Sequence, residues 1–174
     1  YGRVARPCIA RQCNIPQPIF SVEGAIAAQR DTVSTAARAL LPIMAKELWF
    51  VGSAGALEEN RADELRGDIL DQLAQWNGDM DRFSPEPLVF WAWARALQKR
   101  ILQDEFPSAT TVWARPNADV LFAVLSDRGG SAIWCDIRPS TRIETCQDQV
   151  RAALDDAIGW LIDRNGPDPS AWVW

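Results

Sequence analysis

The chain reads as all-α (mainly α), one helical unit of about four to five helices, and three observations carry that expectation. The stretch LRGDILDQLAQWNGDMD, Leu65–Asp81, sets Leu65, Ile69, Leu73 and Trp76 at helical spacing and then stops at Asn77-Gly78. The segments on either side, Val22–Leu48 and Glu86–Gln103, carry matching apolar stripes at lengths suited to packing against it. The short apolar run Ser131–Ile137 has the composition of an extended segment, but nothing else in the chain offers it a sheet.

Each element follows from local chemistry. Pro7, Pro16 and Pro18 forbid a long helix in the Arg- and Pro-rich arm 1–20, leaving one short turn around Ile9–Cys13. Ser21 caps a helix expected over 21–48, with Val22, Ile26, Val33, Ala37, Leu40, Leu41 and Met44 on its stripe and a kink or break at Pro42. Gly52-Ser53-Ala54-Gly55 is a loop. Glu58, Glu59, Asp63 and Glu64 then load acid onto the start of a helix over 61–77, where the positive dipole end favours them. Ser84-Pro85 opens a helix over 85–104, with Phe90, Ala94, Leu97 and Ile101 stacked on one stripe and Trp91 and Trp93 flanking it. Pro107 breaks it. Asn117 caps a short helix over 117–126 that ends at Asp127-Arg128-Gly129-Gly130. The last helix, 145–164, turns Val150, Leu154, Ala157, Ile158 and Leu161 inward and stops at Asn165-Gly166-Pro167. No repeat or domain boundary interrupts 1–174.

Composition bounds the function. With 174 residues, 48% hydrophobic and nine Trp, the chain has material for one domain with a real core. A net charge of −5 with both signs interspersed argues against nucleic acid as a partner, because phosphate binding needs a basic face. Histidine is absent, which removes Ser-His-Asp and Cys-His nucleophile systems, His-ligated zinc and any imidazole proton shuttle. No targeting segment or apolar run of spanning length is visible, so no membrane partner is expected. The chain starts at Tyr1 and closes on Trp172-Val173-Trp174, an odd terminus for a complete domain, and a piece of a longer protein is expected.

Cys8, Cys13, Cys135 and Cys146 lack CxxC spacing, and four cysteines allow three pairings. The local pairing closes the shortest loops. Cys135–Cys146 is its better-supported half, since Arg138-Pro139-Ser140 makes a turn between them; four reduced thiols is the other reading, and Cys8 and Cys13 stay undecided. If the bond forms, the compartment is oxidising.

Two catalytic temptations have blander explanations. Ser34, with Gln29 and Asp31 on the same helix, has no neighbouring base and is a poor nucleophile. Asp104-Glu105 has no second acid placed opposite it. A stand-alone interaction module, binding a partner through Trp91, Trp93 and Trp113, is the competing class of function.

Four stretches in register carry a family likeness: ALDDAIGWLIDRNGPDPSAWVW at the end of the chain; FSVEGAIAAQRDTVSTAARALLP, with Gln29, Asp31 and Ser34; LAQWNG, Leu73–Gly78; and Trp134-Cys135-Asp136 with Glu144-Thr145-Cys146. Over roughly Phe20–Trp174 the chain resembles the C-terminal helical part of the β subunit of the penicillin amidase family, the penicillin acylases among the N-terminal-nucleophile hydrolases. The resemblance implies a parent enzyme that hydrolyses the amide between an acyl side chain and an amine, with β-lactams or acyl-homoserine lactones as substrates. In that family the N-terminal Ser of a processed subunit is the nucleophile and its α-amine the base. No catalytic, cofactor-binding or metal-binding residue maps onto this chain; the nucleophile, the oxyanion Asn and any calcium-binding acids lie outside it. The resemblance further implies the remainder of the β subunit and the α subunit as partners, the periplasm as location, and no activity for this chain by itself.

Overall fold

A computed structural model describes residues 21–46, 48, 61–106, 115–138 and 140–174. Its helices are α1 (Val22–Arg30), α2 (Thr35–Ala45), α3 (Arg61–Gln75), α4 (Glu86–Leu102), α5 (Ala118–Leu125) and α6 (Cys146–Asn165), with 3-10 turns at Ser131–Cys135 and Pro169–Ala171. Among the described residues there is no strand, only one antiparallel bridge between Val33 and Asp79, so the chain is all-α as expected. The arm 1–20, the 52–55 loop, Glu58, Glu59, Pro107 and Trp113 lie outside the described residues.

The centre is α4 against α6. The run LVFWAWARAL is apolar on more than one side, and α4 accordingly buries Leu88, Val89, Phe90, Trp93, Leu97 and Ile101. From α6 the residues Val150, Ala153, Leu154, Ala157, Ile158 and Leu161 meet it, the small alanines letting the two backbones come close. Leu40, Leu41 and Met44 of α2, Ile69 and Leu73 of α3, and Leu121 and Val124 of α5 close the rest of the core. Trp93 has no exposed surface and donates its indole N–H to the Val150 carbonyl at 2.9 Å, so the largest core side chain carries no unsatisfied polar atom. The buried Gln98 ties α5 into the same core: its amide donates to the Arg115 carbonyl at 3.1 Å and its oxygen accepts from the Asn117 N–H.

Three local expectations are corrected, and the run at 131–137 is resolved. The helix expected over 21–48 breaks at Asp31–Ser34 and continues through Pro42 to Ala45. Ser34 is not a mid-helix polar residue but the N-cap of α2, its hydroxyl accepting from the Ala37 N–H at 3.1 Å, while the Asp31 carboxylate accepts from the Val33 N–H at 3.1 Å. Side chains that bond nearby backbone outcompete helix continuation here, and the freed backbone pairs with 78–80 instead. The Ser84 hydroxyl does not cap α4: it turns to the Asp81 carboxylate at 3.4 Å, and Pro85 holds the N-cap position without a side-chain bond. Residues 131–135 form a 3-10 turn, entered through Gly129 and Gly130 at φ +69° and +78° and pinned by the Ser131 hydroxyl donating to the Ala123 carbonyl at 2.9 Å. Finally, α3 ends at Gln75, so Trp76 sits just beyond the helix, half-buried, with its ring 5.7 Å from Phe90.

The start of α6 has a capping box: the Thr145 hydroxyl accepts from the Asp148 N–H, and the Asp148 carboxylate accepts from the Thr145 N–H at 2.9 Å and hydroxyl at 2.7 Å. These bonds, with Arg142 and Arg151 nearby, hold the Asp148 carboxyl below its ordinary 3.8. A depressed folded-state value means stability that is present above the unfolded value and lost as pH falls through the folded one. Asp148→Asn is therefore expected to lower the melting temperature at neutral pH, with the gap to the parent chain closing below about pH 4. A gap independent of pH in paired thermal melts contradicts this.

Candidate functional site

The residues that carry the family likeness assemble into three structural knots. In the first, the 31–34 segment meets the end of α3. The Ser34 N–H donates to the Gly78 carbonyl at 2.8 Å and the Met80 N–H to the Thr32 carbonyl at 3.0 Å. The Thr32 hydroxyl bonds the Asp79 carboxylate, Arg38 Nε donates to the Asn77 carbonyl at 2.7 Å, and the Trp76 indole N–H to the Asp79 carbonyl at 2.8 Å. Gly78 stands at φ +85°, where a Cβ would lie 3.0 Å from Arg38 Cγ and 3.3 Å from the Ser34 oxygen, so glycine is required there for conformation and for space. Gln29 is exposed on α1. Asp31 and Ser34 thus serve as turn and cap.

The second knot is the cysteine-bracketed turn. Cys135 and Cys146 form a disulfide with their Cα atoms 4.8 Å apart. Inside the loop, Asp136 accepts from the Glu144 N–H at 3.1 Å and Glu144 accepts from the Ile137 N–H at 3.1 Å, so the two acids beside the cysteines close the turn. Asp104 and Glu105 hold this turn onto the end of α4: Asp104 accepts from the Arg138 N–H at 3.0 Å, and Glu105 pairs with the Arg138 guanidinium at 2.6 Å. They form a clamp, not an acid–base pair. Removing the bond by Cys135→Ser with Cys146→Ser frees a loop spanning 11 positions and is expected to cost about 3 kcal/mol on the chain-entropy estimate. The denaturation midpoint measures it, and an unchanged midpoint refutes a structural role.

The third knot is the DPSAWVW end. Asp168 accepts from the Ser170 N–H at 3.0 Å and its hydroxyl at 2.8 Å, opening the 3-10 turn Pro169–Ala171. That turn delivers Trp172, with no exposed surface, into the core, where its indole N–H donates to the Gly166 carbonyl at 2.8 Å. The preceding asparagine-glycine stop is served by Gly166 at φ +91°.

Besides these knots, a groove of about 750 Å³ runs between α4 and α6. Arg95 stands over two indoles on its rim, 5.4 Å from the Trp91 centroid and 5.9 Å from that of Trp160. Trp91 also meets Trp174 edge-on at 5.9 Å. Of the tryptophans considered as an interaction surface, Trp93 is wholly in the core and contributes none, while Trp91 is half-buried. Sequence periodicity placed both on α4 but could not rank their burial, since the two flank the same stripe.

The class this defines is a disulfide-stapled helical scaffold: its recognisable residues serve as caps, turns and core anchors, and among the described residues no group of three or more Cys, Asp or Glu is arranged to hold a metal ion. No described helix is long and apolar enough to cross a membrane. The family model described as penicillin amidase matches residues 9–174, and the chain belongs to that family. No curated protein and no solved structure matches it.

Proposed function

We propose that the chain is a helical, non-catalytic part of the β subunit of an acylase that hydrolyses the amide between an acyl side chain and an amine. The family match over residues 9–174 carries this reading. The structural use of Asp31, Ser34, Asp104 and Glu105 supports a nucleophile located elsewhere in the protein. There an N-terminal Ser hydroxyl attacks the amide carbonyl while its own α-amine takes the proton; the tetrahedral intermediate collapses to an acyl-enzyme as that proton passes to the departing amine, and water then hydrolyses the ester to release the acid and the free Ser. The scaffold packs on the remainder of the β subunit and on the α subunit; any calcium is held by those parts. The Cys135–Cys146 bond supports an oxidising compartment, the periplasm.

The test is hydrolysis of a chromogenic N-acyl anilide by the full-length protein and by this chain alone. Turnover by the full-length protein, none by the chain, and loss of turnover when the proposed N-terminal Ser is replaced by Ala are expected. Turnover by the chain alone, or a folded full-length protein inert towards a panel of acyl amides, overturns it.

A further inference from the structure

We infer that the groove between α4 and α6 is a binding site for a small monocarboxylic acid with an aromatic or short aliphatic body, held by Arg95. The groove is lined by Ala92 and Ala96 of α4 and by the exposed Gly159 of α6, where an added Cβ would meet nothing within 4 Å. Small residues on both helices therefore create the space, in a volume of about 750 Å³ that falls within the usual range for ligand sites.

Charge selects the ligand. Two of the acids at the groove are already neutralised, Asp155 by Arg66 at 2.6 Å and Asp156 by Arg100 at 2.7 Å. Arg95 and Lys99, one helical turn apart, make no ion pair among the described residues, and Asp163 is the acid left to oppose them. Arg164, over the Trp160 ring at 5.5 Å, adds to the positive side, so the groove suits an anion such as a carboxylate.

Shape selects its body. The Arg95 guanidinium is laid against two indole rings, 5.4 Å from Trp91 and 5.9 Å from Trp160, which fixes a normally flexible side chain and leaves its N–H fork for a planar acceptor. Trp160 and the partly exposed Phe106 offer apolar surface further along the groove.

Benzoate and octanoate, with benzamide and octanamide as neutral counterparts, are titrated calorimetrically into the full-length protein that carries this chain. Each acid is expected to bind at least about tenfold more tightly than its amide, Arg95→Gln to erase that difference, and Asp163→Asn to enlarge it. Gly159→Leu is the control against misfolding. It replaces a poor helix former by a good one while placing a large side chain on the groove, so it is expected to abolish acid binding without lowering the melting temperature. Equal binding of acid and amide overturns the inference, as does acid binding that Gly159→Leu leaves unchanged. Binding by this chain but not by the full-length protein also overturns it, since the groove is then covered by the parent. Anilide turnover by the unsubstituted full-length protein is followed in parallel, so that a failure of acid binding is told apart from a failure of the acylase reading.

Discussion

Trp93→Ala is expected to destabilise the protein by about 4 kcal/mol, the middle of the range for a fully buried aromatic truncated to alanine. Three causes add. The indole has no exposed surface and lies where α4 faces α6, so its removal opens a void that neither helix can close without losing its other contacts. Its dispersion contacts with both helices disappear. The Val150 carbonyl, which accepts from it at 2.9 Å, loses a side-chain donor in a dry setting. Chemical denaturation with the midpoint followed by circular dichroism measures the loss. Trp93→Phe separates the causes, keeping much of the volume and removing the donor, and is expected to lie between alanine and the parent chain. A loss under about 1 kcal/mol for the alanine variant contradicts a core role for this residue.

Trp172→Ala is expected to cost about 3 kcal/mol or more, by the same cavity term, although the residue is the third from the end of the sequence. A late, non-helical residue in a solvent-facing tail would cost almost nothing. Here Trp172 is fully buried and bonds the Gly166 carbonyl at 2.8 Å, closing the chain back over the end of α6. Asp168→Ala addresses the same feature from outside. It removes the cap of the 3-10 turn that aims Trp172 and is expected to cost about 1 kcal/mol. If truncation of the indole is no worse than loss of the cap, the turn rather than the burial is what the segment contributes.

Sequence periodicity located most of the helices because it depends on neighbours within a turn or two. The inward residues of α6, Val150, Leu154, Ala157, Ile158 and Leu161, are all buried, and Asn117 caps α5 through the N–H groups of Asp119 and Val120. The break at Asp31–Ser34 was hidden for the opposite reason. A stripe through Val22, Ile26, Val33 and Ala37 fits one continuous helix, and only the pairing of 32–34 with 78–80, more than forty positions away, makes the extended conformation the better one. Pro42 drew the expected break to itself because proline is a strong local breaker, yet the α2 helix runs through it within a packed core.

The candidate site divides along the same line. The four family-bearing stretches were legible as motifs, and the absence of histidine ruled out imidazole chemistry from composition alone. That Asp31 and Ser34 close a junction with Gly78, and that Asp104 and Glu105 clamp the turn at Arg138, depended on contacts between distant segments. The Arg95 groove left no motif at all, because Trp160 and Gly159 reach it from a helix some sixty positions further on.

By itself, then, the sequence determined the helical class, the caps at Ser21 and Asn117, the glycine stops at Gly78 and Gly166, and the family, all of which rest on short-range chemistry or on ordered residue types. Only the tertiary structure decided where the first helix breaks, which tryptophan is core and which is rim, and which charges are left unpaired. Those outcomes are set by burial and by partners far apart in the chain, and burial is a property of the packed whole.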